Sequence, residues 1–282
     1  MSLGVLNNIS AIYAQNNLNL TQQNLQNTLT QLSSGSRINS GADDAAGLAL
    51  ADGLHANVAA LTQSAQNASA GVGMLQTADG ALAQVTNLLT RAITLATEAA
   101  NGTLNSSQVG SANQEYQNIL TEIDNIGKTT NYNGNNVFSA TAVNIFVSDG
   151  TSSGASTFAQ TVGTLAKSSV GTTSGGGGAD LTTNATLSAT TASSILTTLT
   201  TAVQDVAYQR GTLGANINQL NAAANVANSQ SVNLASAENN IRATNYGQAT
   251  SDMAKYKILS ETGIAALSQA NAVQQDVLKL LQ

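Results

Sequence analysis

The sequence predicts a mainly α protein: long helices from both chain ends pair antiparallel as coiled coils, with a small β-hairpin region in the middle of the chain. Three observations carry this. Leu61, Ala68, Leu75, Leu82, Leu89 and Ala96 recur every seven residues, and so do Val206, Leu213, Leu220, Ala227, Leu234 and Ile241, which is the spacing of a coiled-coil seam. Proline is absent, so nothing removes a helix hydrogen bond or clashes with the preceding turn. Hydrophobic residues make up 42% of the chain but aromatics only 3%, with no tryptophan. Burial must therefore come from Ala, Leu, Ile and Val, which suits helices packed along their length.

The first 36 residues carry no charged side chain. Leu3, Val5, Leu6, Ile9, Ile12, Leu18, Leu25, Leu29 and Leu32 stand on an Asn/Gln/Thr background. Leu18, Leu25 and Leu32 fall seven apart with Leu29 at the alternate position, a helical seam rather than a disordered polar tail. Ser33–Ser36 breaks the pattern. Ser40 and Asp43 read as a capping box opening the next helix, with Asp43 and Asp44 at its positive end. A catalytic acid pair is the rival reading, and the position at the head of a long helical pattern favours the cap. Asn101-Gly102 ends that helix. A second helical stretch, near Ser107–Lys128, puts Ile119, Ile123 and Ile126 on one side.

From Asn131 the texture changes. Tyr132-Asn133-Gly134 is a turn signal, and Val143–Val147 is strand-like, closed by Asp149-Gly150. Residues about 150–190 are rich in Ser, Thr and Gly, including the run Gly175–Gly178. No Lys-Ser/Thr follows that run, so it reads as a flexible surface loop and not a phosphate cradle. The Ser/Thr density over 150–202 reads as polar loop filling ahead of O-linked glycosylation. After the second heptad run, which has Ile217 and Ala224 at interleaved positions, a break falls near Asn245-Tyr246-Gly247. The last helix has Ile264, Leu267, Leu278 and Leu281 on one side and Ala270, Val273 and Val277 beside them. A helix apolar on more than one face expects neighbours on several sides.

Other classes are disfavoured. Cysteine is absent and the net charge is −6, with nine scattered Lys and Arg, so there is no thiolate chemistry and no basic footprint for nucleic acid. No run approaches ~18 apolar residues, so no membrane insertion is expected. Met1–Leu20 lacks a basic region followed by an apolar run, so no conventional secretion signal is expected. His55 is the only histidine, and its helix offers only Asp52 as a partner, too little for a metal site or a triad. No nucleophile–base set, metal cluster or phosphate loop can be assembled, so no enzyme activity and no cofactor are expected. The apolar ends supply a mechanism instead. They cannot bury their surface alone and would order on docking to copies of themselves. A heterologous contact that does not close gives a helical filament.

Leu32-Ser33-Ser34-Gly35-Ser36-Arg37-Ile38-Asn39-Ser40-Gly41-Ala42-Asp43-Asp44-Ala45-Ala46-Gly47-Leu48-Ala49 resembles the signature segment of bacterial flagellins. The family usually has Leu at Ser36 and often Ala-Lys at Gly41-Ala42. Ala265–Asn271 with Val277–Leu281 resembles the flagellin tail, although Gln274-Gln275 stands where a proline is common. Thr130–Gly134 matches the start of the family's hairpin. The resemblance covers about 1–140 and 190–282.

The resemblance implies a short, two-domain flagellin that polymerises into the bacterial flagellar filament for motility. Residues 1–43 and 245–282 would form a discontinuous inner tube domain, disordered in the free monomer, with Leu18, Leu25, Leu29, Leu32, Ile264, Leu267, Val277, Leu278 and Leu281 in tube packing. Residues 44–244 would form an outer rod-like domain, including the hairpin and Gly/Ser/Thr-rich loop at about 131–190, on a coiled-coil core of Leu61, Leu75, Leu82, Leu89, Leu213, Leu220, Leu234 and Ile241. The implied partners are other copies of the chain, a flagellar export chaperone holding the C-terminal helix, and hook-associated and cap proteins. The implied location is extracellular, after type III export. Arg91, Leu95 and Glu115 match positions that contact the Toll-like receptor for flagellin, though Thr90, Ala92, Ile93 and Thr94 depart from the family. A zinc-protease insertion is excluded by the single histidine. Two other readings stand beside this one: a hook–filament junction protein, disfavoured by the Asp43–Ala49 segment and the tail, and a soluble coiled-coil interaction protein, which would not need uncharged apolar termini.

Overall fold

The computed structural model describes residues 8–150, 157–171, 177–183 and 185–280, with main chain alone for 277–280. Leu3, Val5, Leu6, Gly175, Gly176 and Leu281, and the side chains of Val277 and Leu278, lie outside the described residues. The order is α1 (Ile9–Ser34), α2 (Ala45–Ala100), α3 (Ser106–Thr129), β1 (Asn131–Tyr132), β2 (Asn135–Asn136), β3 (Val143–Phe146), β4 (Thr157–Gln160), α4 (Ala192–Arg242) and α5 (Tyr246–Leu280). The expected fold class, mainly α with a small hairpin region in mid-chain, is what the chain adopts. It divides into two compact units, Met1–Ala56 with Asn233–Gln282, and Asn57–Val232.

In the second unit α2 carries a seam of alternating three- and four-residue steps. Leu61, Ala65, Ala68, Leu75, Ala78, Leu82, Val85, Leu89, Ala92, Ala96 and Ala99 are all buried. The matching face of α4 buries Ala192, Ile195, Leu199, Ala202, Val206, Leu213, Leu220 and Ala227. The helices run antiparallel here: Leu220 packs by Gly71, and Arg210 binds Asp79. Ala is frequent along both seams, so the two backbones can approach closely. Tyr116, Ile119, Leu120 and Ile123 of α3 complete the core. An Asn105/Gln108 capping box starts α3, with both side-chain-to-backbone bonds at 2.9 Å, which satisfies two of its orphan amides.

The two sheets are small. β1 pairs antiparallel with β2 through the two-residue turn Asn133-Gly134, both with positive φ (50° and 80°), as a hairpin turn matching strand twist requires. β3 pairs antiparallel with β4 in the register Val143↔Gln160 to Phe146↔Thr157. Buried Ile145 reaches the Cβ space of Gly71, and buried Ser64 of α2 donates to Ser148 O at 2.7 Å.

The described residues that flank the glycine run are in part buried, while Gly177 of the run itself is exposed. Val162, Leu165, Val170, Ala179, Leu181 and Leu187 are buried in the same core, and a bridge joins Val170 to Ala179. Gly127 is buried against the Leu165 carbonyl, with no room for a Cβ. The described parts of this segment form a lid on the helices through a sparse set of apolar side chains.

The first unit holds α1, α5 and the adjoining ends of α2 and α4. Their linkers pair: Ser36 bridges Ala243, Arg37 N donates to Arg242 O at 2.7 Å, and Thr244 N donates to Gly35 O at 3.1 Å. Ser36 donates from Oγ to Ile38 O at 2.8 Å. The start of α2 also differs from expectation. Asp43 Oδ2 accepts from Asn39 N and Ser40 N at 3.1 and 2.9 Å, which builds a turn. Asp44 Oδ1 accepts from Gly47 N at 2.8 Å and is the true N-cap. The box-like Ser40/Asp43 pair closes one turn too early because the helix begins only at Ala45.

Candidate assembly surface

The terminal pair α1/α5 is built for incomplete burial. Asn8 caps α1, accepting from Ala11 N at 2.9 Å and donating from Nδ2 to Ala270 O at 3.0 Å. Asn245 caps α5, accepting from Gln248 N at 3.2 Å. Leu18 packs on Gly263, and Tyr246 on Gly35, so the helices are antiparallel. The α1 seam is Ala11, Ala14, Leu18, Thr21, Leu25, Thr28 and Leu32. The α5 seam is Ala249, Met253, Tyr256, Ser260, Gly263, Leu267, Ala270 and Gln274, and only Thr28 and Ala249 on the two seams are fully buried. Small and hydroxyl side chains fill much of this contact, so it stabilises the pair weakly.

The outer faces carry exposed apolar side chains among polar ones, Asn and Gln on α1 and Lys255, Lys257 and Glu261 on α5. Ile9, Ile12, Tyr13 (68% exposed) and Leu20 line the side of α1 opposite its seam. On α5, Ile258 (60% exposed), Leu259, Ile264 and Val273 lie off the seam. Fully burying a Leu, Ile or Val side chain contributes roughly 1.5–3 kcal/mol, and α1 has no charge to desolvate. Of the residues expected in tube packing, Leu18, Leu25, Leu32 and Leu267 are half-buried on the seam, whereas Leu29 (47% exposed) and Ile264 face outward. Leu29 leaves the seam because the three–four alternation from Leu25 lands on Thr28.

Of the expected coiled-coil residues, Leu61, Leu75, Leu82, Leu89, Leu213 and Leu220 are buried, and Leu234 and Ile241 are half-buried. Arg91 and Glu115 form a bidentate pair between α2 and α3, Nε to Oε1 at 2.7 Å and Nη2 to Oε2 at 3.0 Å. The guanidinium hydrogen bond holds the Glu115 carboxyl below its usual range. Both are exposed, but Leu95 is 2% exposed in the core. It therefore presents no surface to a receptor in this monomer, a correction to its grouping with the other two. Leu95 stands three residues after Ala92 and four before Ala99, both buried, the spacing that could have shown this.

His55 also has more company than its own helix offers. Its Nδ1 lies 3.2 Å from Glu238 Oε2. Glu238 meets Arg242 at 3.3 Å, and Arg242 meets Asp52 at 3.5 Å. Glu238 was not legible as a partner because it stands 183 residues away. Among the described residues no group of three or more His, Cys, Asp or Glu is placed to hold a metal ion, and no helix is long and apolar enough to cross a membrane.

Comparison with known proteins gives the same direction at both ends. Residues 5–143 match the bacterial flagellin N-terminal helical region, and residues 196–281 the bacterial flagellin C-terminal helical region. The flagellar filament 30.7 kDa core protein of Treponema maltophilum is 31% identical over 97% of this chain and 98% of its own length. A flagellin of Listeria innocua is 31% identical over the same shares. Flagellin 1 of Proteus mirabilis is 41% identical, but over 51% of this chain and 40% of its own length. The crystal structure of Bacillus cereus flagellin is 30% identical, with a TM-score of 0.47 over 62% of this chain and 94% of that one. Matched end to end by relatives of its own length, and to longer ones only in part, the chain belongs to the bacterial flagellins as a short form: a structural subunit that polymerises into the extracellular flagellar filament.

Proposed function

We propose that residues 1–43 and 245–282 form the inner tube of the filament and residues 44–244 its outer rod-like domain. Assembly is then driven by burying the outer faces of α1 and α5 between neighbouring copies. The observation that carries this is the two-sided apolar character of a helix pair whose own seam is filled largely by small and hydroxyl residues. Ile9, Ile12, Tyr13 and Leu20 gain burial from another molecule, and the rule that docks one copy on the next extends without closing.

The finer partners follow from the same chemistry. A two-sided apolar α5 needs a cover before assembly, which supports an export chaperone on the C-terminal helix and passage through the flagellar type III route. Hook-associated and cap proteins meet the same faces at the filament ends. Arg91 and Glu115, but not Leu95, are available to a Toll-like receptor. Deleting residues 1–30 tests the tube assignment: a soluble, helical monomer that gives no filaments on seeding is expected, and filaments of the truncated chain would overturn it.

A further inference from the structure

Asp205 and Gln209 stand one turn apart on the same buried face of α4, 7% and 3% exposed. They lie beneath a strap of two described stretches, residues 162–171 and 177–181, that pack on the helix. Gln209 Nε2 donates to Val162 O at 2.6 Å at one end of the strap. Farther along, Gly171 lies on the Asp205–Val206 backbone so closely that a Cβ would sit 2.5 Å from Val206 N. Gly178 is equally closed in by Val170 and Gly171. The strap is therefore fastened to α4 at these two residues.

One atom in this arrangement is unaccounted for. Gln209 Oε1 is buried without a hydrogen-bond partner among the described residues. Turning the amide over is no remedy, because the Val162 carbonyl can only accept and would then face an oxygen. An orphaned buried acceptor costs on the order of a hydrogen bond, so a donor is required. Helical side chains lean toward the N-terminus, which carries Gln209 back over Asp205. We infer that Asp205 keeps its carboxyl proton in the folded subunit and donates it to Gln209 Oε1, so that an acid–amide pair fastens the strap to α4.

The neutral acid satisfies both of its oxygens: the hydroxyl serves Gln209, and the carbonyl oxygen accepts from the Ala179 amide, which also donates to Val170 O. Burial pushes the Asp205 carboxyl above its usual range, against a smaller opposing pull from that amide. The ionisable groups on the packed elements are engaged elsewhere. Lys167 faces Asp124 of α3, Asp180 binds Thr182 and Thr183, and Arg210 binds Asp79. An ionised Asp205 would thus be a buried anion beside an unpaired oxygen, and the lock weakens as pH rises through its titration.

The test follows the Asp205 carboxyl carbon by NMR in the full-length monomer from roughly pH 3 to 8, beside melting curves of wild type and Asp205→Asn. Asparagine keeps a donor for Gln209 and an acceptor for Ala179 at every pH. The expected result is a titration above that of an ordinary aspartate, with the wild-type midpoint falling relative to the variant across that range. A titration in the ordinary carboxylate range, or a difference between the two midpoints that stays constant with pH, overturns the inference.

Discussion

Arg210 of α4 grips Asp79 of α2 with two hydrogen bonds, Nε to Oδ1 at 2.7 Å and Nη2 to Oδ2 at 3.3 Å. The fork fixes the relative register of two antiparallel helices whose seams of Leu and Ala would tolerate sliding by a heptad. Both side chains are 38% exposed, so solvent screens the attraction. Arg210→Ala is expected to cost no more than about 1 kcal/mol, with a coupling of that size or less to Asp79→Ala in a double-mutant cycle. A coupling several times larger would mean that the pair carries stability and not register alone.

Leu82 and Leu29 make opposite predictions from the same residue type. Leu82 is fully buried in the seam, and truncation to Ala should destabilise the monomer by about 2–5 kcal/mol in denaturant unfolding. Leu29→Ala should leave monomer stability within about 0.5 kcal/mol, because its side chain lies outside the α1/α5 seam, and should instead weaken polymerisation.

At Gly127 the Leu165 carbonyl occupies the space a Cβ would need. The neighbour is backbone and cannot swing aside, so Gly127→Ala should cost about 1–3 kcal/mol despite the gain in helix propensity. Gly80→Ala, also within a helix but with open space around it, is the control and should be neutral or stabilising. Equal effects at the two sites would contradict the packing of the lid.

Acid should loosen the turn ahead of α2. Hydrogen bonds from Asn39 N, then Ser40 N and Ser40 Oγ, hold the Asp43 carboxyl below its usual range. A lowered folded-state value means the contribution is in place above the ordinary carboxylate range and is lost as pH falls through the folded value. Amide exchange at Asn39 and Ser40 should therefore speed up relative to its intrinsic rate on acidification. Asp43→Asn should show the fast rate at every pH.

The helical plan was legible because its signal is periodic. Leu61 to Ala96 keeps one face over five heptads, and an unbroken helix is the only local structure that uses such spacing. What escaped was aperiodic or distant. Val162, Leu165, Val170, Ala179, Leu181 and Leu187 sit at irregular intervals among small polar residues, so composition spoke for a loop although each side chain is buried. Asp43 and Asp44 are both good caps, and only the backbone decides which one faces the first turn. Leu29 and Thr28 compete for one seam position, where sequence favours the leucine and geometry the threonine. The pairing of His55 with Glu238 needs α2 and α4 brought side by side, which no local pattern encodes.

Polymerisation through the outer face of α1 is addressed most directly by the doubly substituted Ile12→Asn, Leu20→Asn chain. Both changes are uncharged, and both spare the seam residues Leu18, Leu25 and Leu32. The measurement is the critical concentration for seeded polymerisation, with circular dichroism of the monomer alongside. The prediction is an unchanged monomer spectrum with a critical concentration raised at least about tenfold, the equivalent of 1.4 kcal/mol per subunit. Filaments growing at the wild-type concentration from a fully substituted monomer would contradict it.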